Sequence, residues 1–580
     1  MNVIGLQAFY YNHATALLSD GNLEFFCEEE KLNRVKGQRD GFPLETLKAA
    51  LDRAGMTMDD IDEIAYPIDT WRYTRTVVKG GLSSFARGLL PGKRSDVEGV
   101  SLTADRVLST LQFTPPFLDS LIRHRIRYGG VSGRLPPIVH VPHHFAHAAS
   151  AFYTSGFDEA AVVIVDGVGE TESTSIWHAR GKTIEKIEDI AFPNSLGEFY
   201  AAITEFCGFK VYQQEGKLMG LAAYGGPNDE ISRKMQQVIQ VRPEGYQVSA
   251  DHTINGRHTY GICFSDALVE LFGPPRSRRA ELTDFHRDIA FAAQDVLEKA
   301  SLEIVKRAVR LTGCKDLCFS GGVAMNCKLN GTILHSGEVR KISVLPASND
   351  AGVALGAAMV RSAQRGDDPR MELRHTYYGP SFSGEEIEAR LINAKVPYKP
   401  LQAGNYDEVA DLLDKQKVVG LYTGRMEFGA RALGARSILA DPRNQKMWDV
   451  VNEAVKHREA WRPFAPVILA GHEGEFWEDA SPSPFMMKAY DVRPDKKQVI
   501  PAVTHVDGTC RPQTISKDVN PVYFGILESF FQKTGVPVLM NTSFNVRGEP
   551  IVCRPVEALR CYFGTGMDAL VIGSFLLQKE

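Results

Sequence analysis

One plan occurs twice in this chain. NVIGLQA, a short turn, ATALLS, the turn Asp20-Gly21 and NLEFFCEEE read as strand, turn, strand, tight turn, strand. AAVVIVDG, a polar turn, ESTSIWHA, the turn Arg180-Gly181 and KTIEKIEDI repeat it further along. Three antiparallel strands need a covering layer, so each copy is expected to start its own α/β lobe. At 580 residues the chain is too long for one core, which leaves room for both lobes and at least one further domain.

Composition narrows the class. Apolar content of 44% and charged content of 24% are those of a soluble globular protein. A net charge of -5 gives no electrostatic reason to expect nucleic acid. The nine cysteines (27, 207, 263, 314, 318, 327, 510, 553, 561) contain no C-x-x-C pair, against both a zinc ribbon and a secreted disulfide framework. MNVIGLQAFYYNHATALLSDG lacks a basic leader and a long apolar run, and no stretch reaches about 18 apolar residues. The expectation is a cytoplasmic multidomain protein with no membrane partner.

Residues 71–135 are Arg-rich and irregular, an insertion of helices and loops between the two copies. Residues 284–312 have apolar spacing for one long amphipathic helix. DLCFSGGVAMNCKLN and ISVLPASNDAGVALGAAMV each read as strand, loop, helix, and the Gly/Ala density of the second helix demands close packing. Composition turns polar near 362–383, which places a boundary between a domain of residues 1–365 and one of residues 366–580.

His143 and His147 stand four apart on a helix, so both imidazoles can face one ion. No glutamate follows the first histidine, as zinc proteolysis would need. Asp166 ends the apolar strand AAVVIVD and Asp350 lies in a second strand-to-helix loop, so two imidazoles and two carboxylates can converge. That set suits Fe(II), Mn(II) or Zn(II). Ser320-Gly321-Gly322-Val323 with Asn326 is a glycine loop at a helix start, suited to an anion, and Lys217 in QQEGKLMGLAAYG adds a charge for phosphate. With the repeated hairpin, this points to a nucleotide between two lobes of an actin-like ATPase fold.

The C-terminal part concentrates cations: Arg425, Arg431 and Arg436 among glycines, then Lys456, Arg458, Arg462, Arg511 and Arg547. Thr542, Ser543 and Asn545 follow an apolar strand. Converging guanidiniums, a lysine and small hydrogen-bond donors ask for a small, doubly charged oxyanion.

Together these stretches resemble the NodU/CmcH-type carbamoyltransferases across essentially the whole chain. HHFAHAASAF with VIVDG, GKLMGLAAYG, SGGVAMNCKLN, SNDAGVALGAA, GARALGARSILADPR, HREAWRPFAP, HVDGTCRPQT and NTSFNVRGEPIV occur in that order. The resemblance implies an α/β chain: a two-lobed actin-like (ASKHA) N-terminal domain, similar to tRNA threonylcarbamoyl transferases, then a YrdC-like α/β domain. It implies a divalent ion, Fe(II) favoured, on His143, His147, Asp166 and Asp350, and nucleotide contacts from Gly167, Lys217, Gly321, Gly322 and Asn326. Lys456-His457-Arg458 and Ser543-Phe544-Asn545 match the K-x-R and S-x-N of YrdC domains. With Arg431, Arg462 and Arg511 they would bind carbamoyl phosphate and ATP with Mg2+, and Lys456 and Arg458 would be catalytic. The implied reaction makes carbamoyl-adenylate in the C-terminal domain and delivers the carbamoyl group to a small-molecule hydroxyl in the N-terminal one. A homodimer would be unsurprising for such a family. Family members commonly carry His-Asp in the first turn as the acceptor's base, whereas this chain has Tyr11-Asn12 there. His13, two places off, is the expected substitute, with His144 the alternative. The rival readings are transfer to tRNA or a protein thiol, and a non-catalytic actin-like nucleotide-binding scaffold.

Overall fold

The computed structural model describes residues 1–74, 114–459 and 461–579. Most of the 71–135 insertion, residues 75–113, lies outside them. The first repeated plan becomes β1 (Asn2–Gln7), β2 (Ala14–Ser19) and β3 (Asn22–Glu28), extended by β4 (Glu63–Tyr66) and β5 (Ile138–His140) in the order β3-β2-β1-β4-β5. The second becomes β6 (Glu159–Val165), β7 (Glu172–Arg180) and β8 (Thr183–Ala191). With β9 (Asp316–Ser320) and β10 (Lys341–Val344) it gives β10-β9-β6-β7-β8, the same order around the first strand of each lobe. In both sheets the meander is antiparallel and the two added strands run parallel to the first. Two lobes sharing that sheet are the actin-like arrangement expected from the duplicated plan. β1 and β6 are buried along almost their whole length, as central strands covered on both faces must be.

Five helices carry or support the site: α1 (His143–Tyr153), α2 (Leu196–Phe206), α3 (Glu215–Ala222), α4 (Asp284–Thr312) and α5 (Ala351–Gln364). The predicted span of α4 is the observed one; Thr283 and His286 form its N-terminal capping box and Gly313, at φ 72°, ends it. The Gly/Ala-rich α5 packs backbone to backbone. A Cβ on Gly356 would meet the Ala146 carbonyl oxygen of α1 at 1.8 Å, and one on Gly5 of β1 would meet the Ala354 carbonyl oxygen at 1.8 Å. Only glycine lets α1, α5 and β1 approach this closely.

The C-terminal region is α/β as expected. Its mixed sheet contains β11 (Lys399–Pro400), β12 (Val419–Tyr422), β13 (Arg436–Ala440), β14 (Ala465–Leu469), β15 (Gln513–Ile515), β16 (Val538–Ser543), β17 (Ala569–Ile572) and β18 (Phe575–Gln578). Their order is β11-β18-β17-β12-β13-β16-β14-β15. A polar seam joins this region to the lobes. Lys31 is buried, pairs with Glu28 at 2.7 Å and donates to the carbonyls of Glu427 (2.8 Å) and Gly429 (3.0 Å). Arg34 donates to the carbonyls of Ile551 (2.5 Å) and Pro550 (2.8 Å), and Asn330 to that of Met487 (2.7 Å). A buried ammonium is tolerated only when so fully partnered, which fixes the two regions relative to each other.

Two of the C-terminal arginines serve this architecture, which corrects their assignment to an anion-gripping set. Arg436 is fully buried on β13, lies over the Tyr422 ring at 3.7 Å and donates to the carbonyls of Thr423 and Ala435 at 2.8 Å. Arg425 donates to the carbonyls of Gly379, Tyr378 and Glu24 across the seam. Both guanidiniums direct most of their donors to backbone oxygens, although Arg436 Nε is buried without a partner.

Candidate active site

α1 presents His143 and His147 one turn apart, Asp166 directly follows β6, and Asp350 immediately precedes α5. His143 Nε2 lies 3.3 Å from Asp166 Oδ2 and 3.8 Å from Asp350 Oδ1; His147 Nε2 lies 3.6 Å and 3.8 Å from the same atoms. One donor atom from each of the four falls within 4.8 Å of the others, a spacing that could hold one metal ion. The far side of each ring is anchored. His143 Nδ1 faces the Pro67 carbonyl at 3.2 Å and His147 Nδ1 the Ser320 hydroxyl at 3.3 Å, so both Nε2 atoms turn toward the centre. His147 Nε2 is buried with no hydrogen-bond partner, as an unbonded metal ligand would be. The Gly322 amide donates to Asp166 Oδ1 at 2.9 Å and orients that carboxylate. Burial works against a charge on His143, but the hydrogen bond it donates to Asp166 and the charges of Asp350 and Asp166 outweigh it and raise the imidazole to about 10.

Glu170 supports this centre and was missed in the sequence. Its carboxylate accepts the backbone N–H of His143 at 2.8 Å and of Asp69 at 2.7 Å, capping α1 from outside the helix. Its place in Gly167-x-Gly169-Glu170, just after the apolar strand, was the only signal. His144 faces away from the four ligands: Nδ1 meets the Ser175 hydroxyl at 2.7 Å beneath β7. It is packed, with burial lowering its basicity well below the usual imidazole value.

His13 lines the cleft, but its ring is engaged. Nε2 accepts the Gly41 amide at 3.1 Å, and the ring also bonds to the Tyr10 backbone. Burial lowers its basicity. As placed, the expected base holds the first turn against the Gly41 loop, with no lone pair facing an acceptor.

Asn326 caps the helix that follows the glycine loop, accepting the Leu329 amide at 3.1 Å and donating to Gln294 at 2.9 Å. Gly321, at φ 94°, is required for packing: its Cβ would lie 2.3 Å from the Val165 carbonyl oxygen. Gly322, Asn326 and Gly167 face the cleft, whereas Gly321 is not in its wall. Glu198, on α2, lines the same cleft and had no sequence signal; the Tyr212 hydroxyl donates to it at 3.1–3.2 Å.

The K-x-R and S-x-N residues come together. Lys456 Nζ contacts the Ser543 carbonyl (2.7 Å) and hydroxyl (3.2 Å), and the Asn545 carbonyl (2.8 Å) and Oδ1 (2.5 Å). Arg458 donates to Asn452 at 2.7 Å and lies over the Phe464 ring at 4.7 Å. Arg431, Arg462 and Arg511 face the same space. Burial first, then neighbouring cations, pulls Arg458 and Arg431 down to about 9 and Lys456 well below the usual lysine value. Such crowding is relieved by an anion. Among the cluster's contacts, Glu459 takes Lys217 at 2.9 Å and Arg547 at 3.1 Å.

The His/Asp cluster, through His143, Asp166 and Asp350, and the cation cluster open onto one cavity of ≈ 1020 Å3. His143, Asp166 and Asp350 line one end; Lys456, Arg458 and Asn545 line the other. Among the described residues, no helix is long and apolar enough to cross a membrane.

The description carbamoyltransferase N-terminus matches residues 2–359, and carbamoyltransferase C-terminus matches residues 410–579. The chain is 33% identical to the nodulation protein NolNO of Sinorhizobium fredii over 99% of this chain and 80% of that one. It is 38% identical to the nodulation protein NolO of Bradyrhizobium diazoefficiens over 76% of this chain and 79% of that one. An uncharacterized Synechocystis protein, sll1178, is 37% identical over 100% and 97%. With both halves matched in order, and with relatives alike over nearly full length, the chain belongs to the carbamoyltransferase family and is an enzyme of carbamoyl transfer.

Proposed function

We propose that this chain forms carbamoyl-adenylate at its C-terminal cation cluster and uses it in the N-terminal lobes to carbamoylate a hydroxyl of a small molecule. The observation that carries this reading is the shared cavity: both sets of residues line one continuous space. A mixed anhydride formed at one set can pass to the other within that space, with a shorter exposure to bulk water than release and recapture would give it.

Carbamoyl phosphate and the ATP phosphates, ATP arriving with Mg2+, are anions that Arg431, Arg458, Arg462 and Arg511 would hold, with Lys456 fixing the Ser543–Asn545 loop beneath them. Water removes the phosphate of carbamoyl phosphate to leave carbamate. The carbamate oxygen attacks the α-phosphorus of ATP and pyrophosphate departs. At the other end, Asp166, Asp350, His143 and His147 would hold a divalent cation, Fe(II) favoured over Mn(II) or Zn(II); when bound it supplies Lewis acidity toward the adenylate phosphate. Gly167, Gly322 and Asn326 would line the nucleotide there, with Lys217 nearby. The acceptor oxygen attacks the carbamoyl carbon, the carbon–oxygen bond to AMP breaks, and the hydroxyl proton leaves to a base. His13 would reach that proton only after giving up the Gly41 amide.

The test is incubation with carbamoyl phosphate and ATP labelled at the α-phosphate, with no acceptor present. Labelled carbamoyl-adenylate and an equal amount of pyrophosphate are expected. Absence of both, with Mg2+ and Fe(II) supplied, rejects the two-step reading.

A further inference from the structure

We propose that Lys36, a residue of the first lobe, reaches across the seam and completes the phosphate site of the C-terminal domain. The inference rests on the reading of the Lys456 cluster as that site, and adds a residue that no K-x-R or S-x-N motif contains.

The loop after β3 carries Lys36, and it is held from three sides. Arg34 donates to the carbonyls of Pro550 and Ile551, and Arg554 Nη1 donates back to the Leu32 carbonyl at 3.1 Å. The Gly37 amide donates to Glu30 at 3.0 Å, and its carbonyl accepts Gln213 of the second lobe at 2.8 Å. The segment bridges both lobes and the C-terminal domain, so Lys36 is placed by all three.

That placement puts its ammonium beside the S-x-N asparagine. Lys36 Nζ lies 3.4 Å from the Glu549 carbonyl oxygen, which also accepts Asn545 Nδ2 at 2.6 Å. Asn545 Oδ1 in turn takes Lys456 Nζ. Lys36 and Lys456 therefore flank one asparagine, and both line the shared cavity. Among the described residues no ion pair joins Lys36 to a carboxylate. Its one hydrogen bond is long, so the ammonium has donors to spare. Desolvation by the surrounding protein lowers its basicity, with Glu30 opposing and Arg462 and Arg34 adding to it. The Lys36 side chain is exposed at the cavity mouth, and an ammonium there beside guanidiniums, with free donors and a cavity in front, is arranged for phosphate oxygens.

The consequence is that the C-terminal site is incomplete without the first lobe, so adenylate formation depends on the seam. The test is calorimetric titration of the full chain with inorganic phosphate and with carbamoyl phosphate, on wild type, Lys36→Met, Lys36→Arg and Lys456→Ala. Losing one charge-assisted bond to phosphate should weaken both ligands about 10- to 100-fold in Lys36→Met. Lys36→Arg should recover most of that, and the melting temperature of Lys36→Met should stay near wild type. If Lys36→Met binds phosphate like wild type while Lys456→Ala does not, Lys36 is outside the site and the inference is wrong. If wild type itself binds neither anion, the reading of the cluster falls, and the inference falls with it.

Discussion

The two ends of the shared cavity solve opposite electrostatic problems. At the metal-ligand end, two imidazoles face two carboxylates at 3.3–3.8 Å, and a backbone amide and two outer anchors fix their directions. At the other end, Lys456, Arg458, Arg462, Arg431 and Arg511 share one space with few carboxylates. The first end is a buried frame whose four donor atoms could hold a cation; the second carries excess positive charge that an anion would relieve. The contrast implies that the two ends fail separately, each with its own symptom.

The sharpest way to break the comparison is to disable one end at a time. Lys456→Ala leaves Ser543 and Asn545 without their shared donor and should cut pyrophosphate release by about 1,000-fold or more, since a buried hydrogen-bonded charge is lost at a reacting site. His143→Ala should leave pyrophosphate release within a few-fold of wild type while abolishing transfer, and should reduce bound metal measured by elemental analysis. If His143→Ala stops both half-reactions, the ends are one site and the division is wrong.

Gly356→Ala tests the frame from a distance. The added methyl group would stand 1.8 Å from the Ala146 carbonyl oxygen, so α5 must move away from α1. Asp350 travels with α5, and His143 and His147 with α1. Overpacking of this kind costs about 1–3 kcal/mol or more, read as a lower denaturant midpoint, and metal affinity should fall with it. Pyrophosphate release should change much less.

His13→Ala separates a base from a bracket. Loss of a general base would slow transfer by about 100- to 10,000-fold. Because Nε2 accepts the Gly41 amide, the structure predicts less than a 10-fold loss in transfer and about 1 kcal/mol of stability for the missing hydrogen bond. Acceptor-dependent AMP release distinguishes the two.

The duplicated lobes, the span of α4 and the four-ligand convergence were legible because each leaves a local mark: alternating apolar runs, helical spacing, acids at strand ends. The motif pairing of Lys456 with Ser543 and Asn545 was legible only through resemblance, since the partners lie far apart in sequence. Arg436 could not be told from Arg458 by composition; burial over Tyr422 separates them, and only the fold shows it. Lys36 and Glu170 lay beyond reach for the same reason. Each acts on a residue of a distant segment, Glu549 and His143 respectively, and neither leaves a periodic signal.

The smallest effect concerns a bridge beside the cavity, not within it. Lys328, just after the glycine loop, pairs with Asp507 of the C-terminal region at 2.8 Å. Burial pushes the Asp507 carboxyl upward, but the His505 hydrogen bond and the Lys328 charge overcome this and hold it well below the usual carboxylate range. A carboxylate whose folded pKa is depressed contributes stability above its unfolded value and loses it as pH falls through the folded one. The contribution should therefore be flat from pH 5 to 8 and decline only below about pH 4, near the unfolded aspartate value. The Lys328 side chain is 37% exposed, so solvent screens the pair and a double-mutant cycle of Lys328→Met with Asp507→Asn should give about 0.5 kcal/mol. Neither change should alter phosphate binding or metal content. A larger coupling, or one that moves either ligand's affinity, would mean that the seam transmits between the two ends, and their separation would have to be redrawn as an equilibrium between docked and undocked domains.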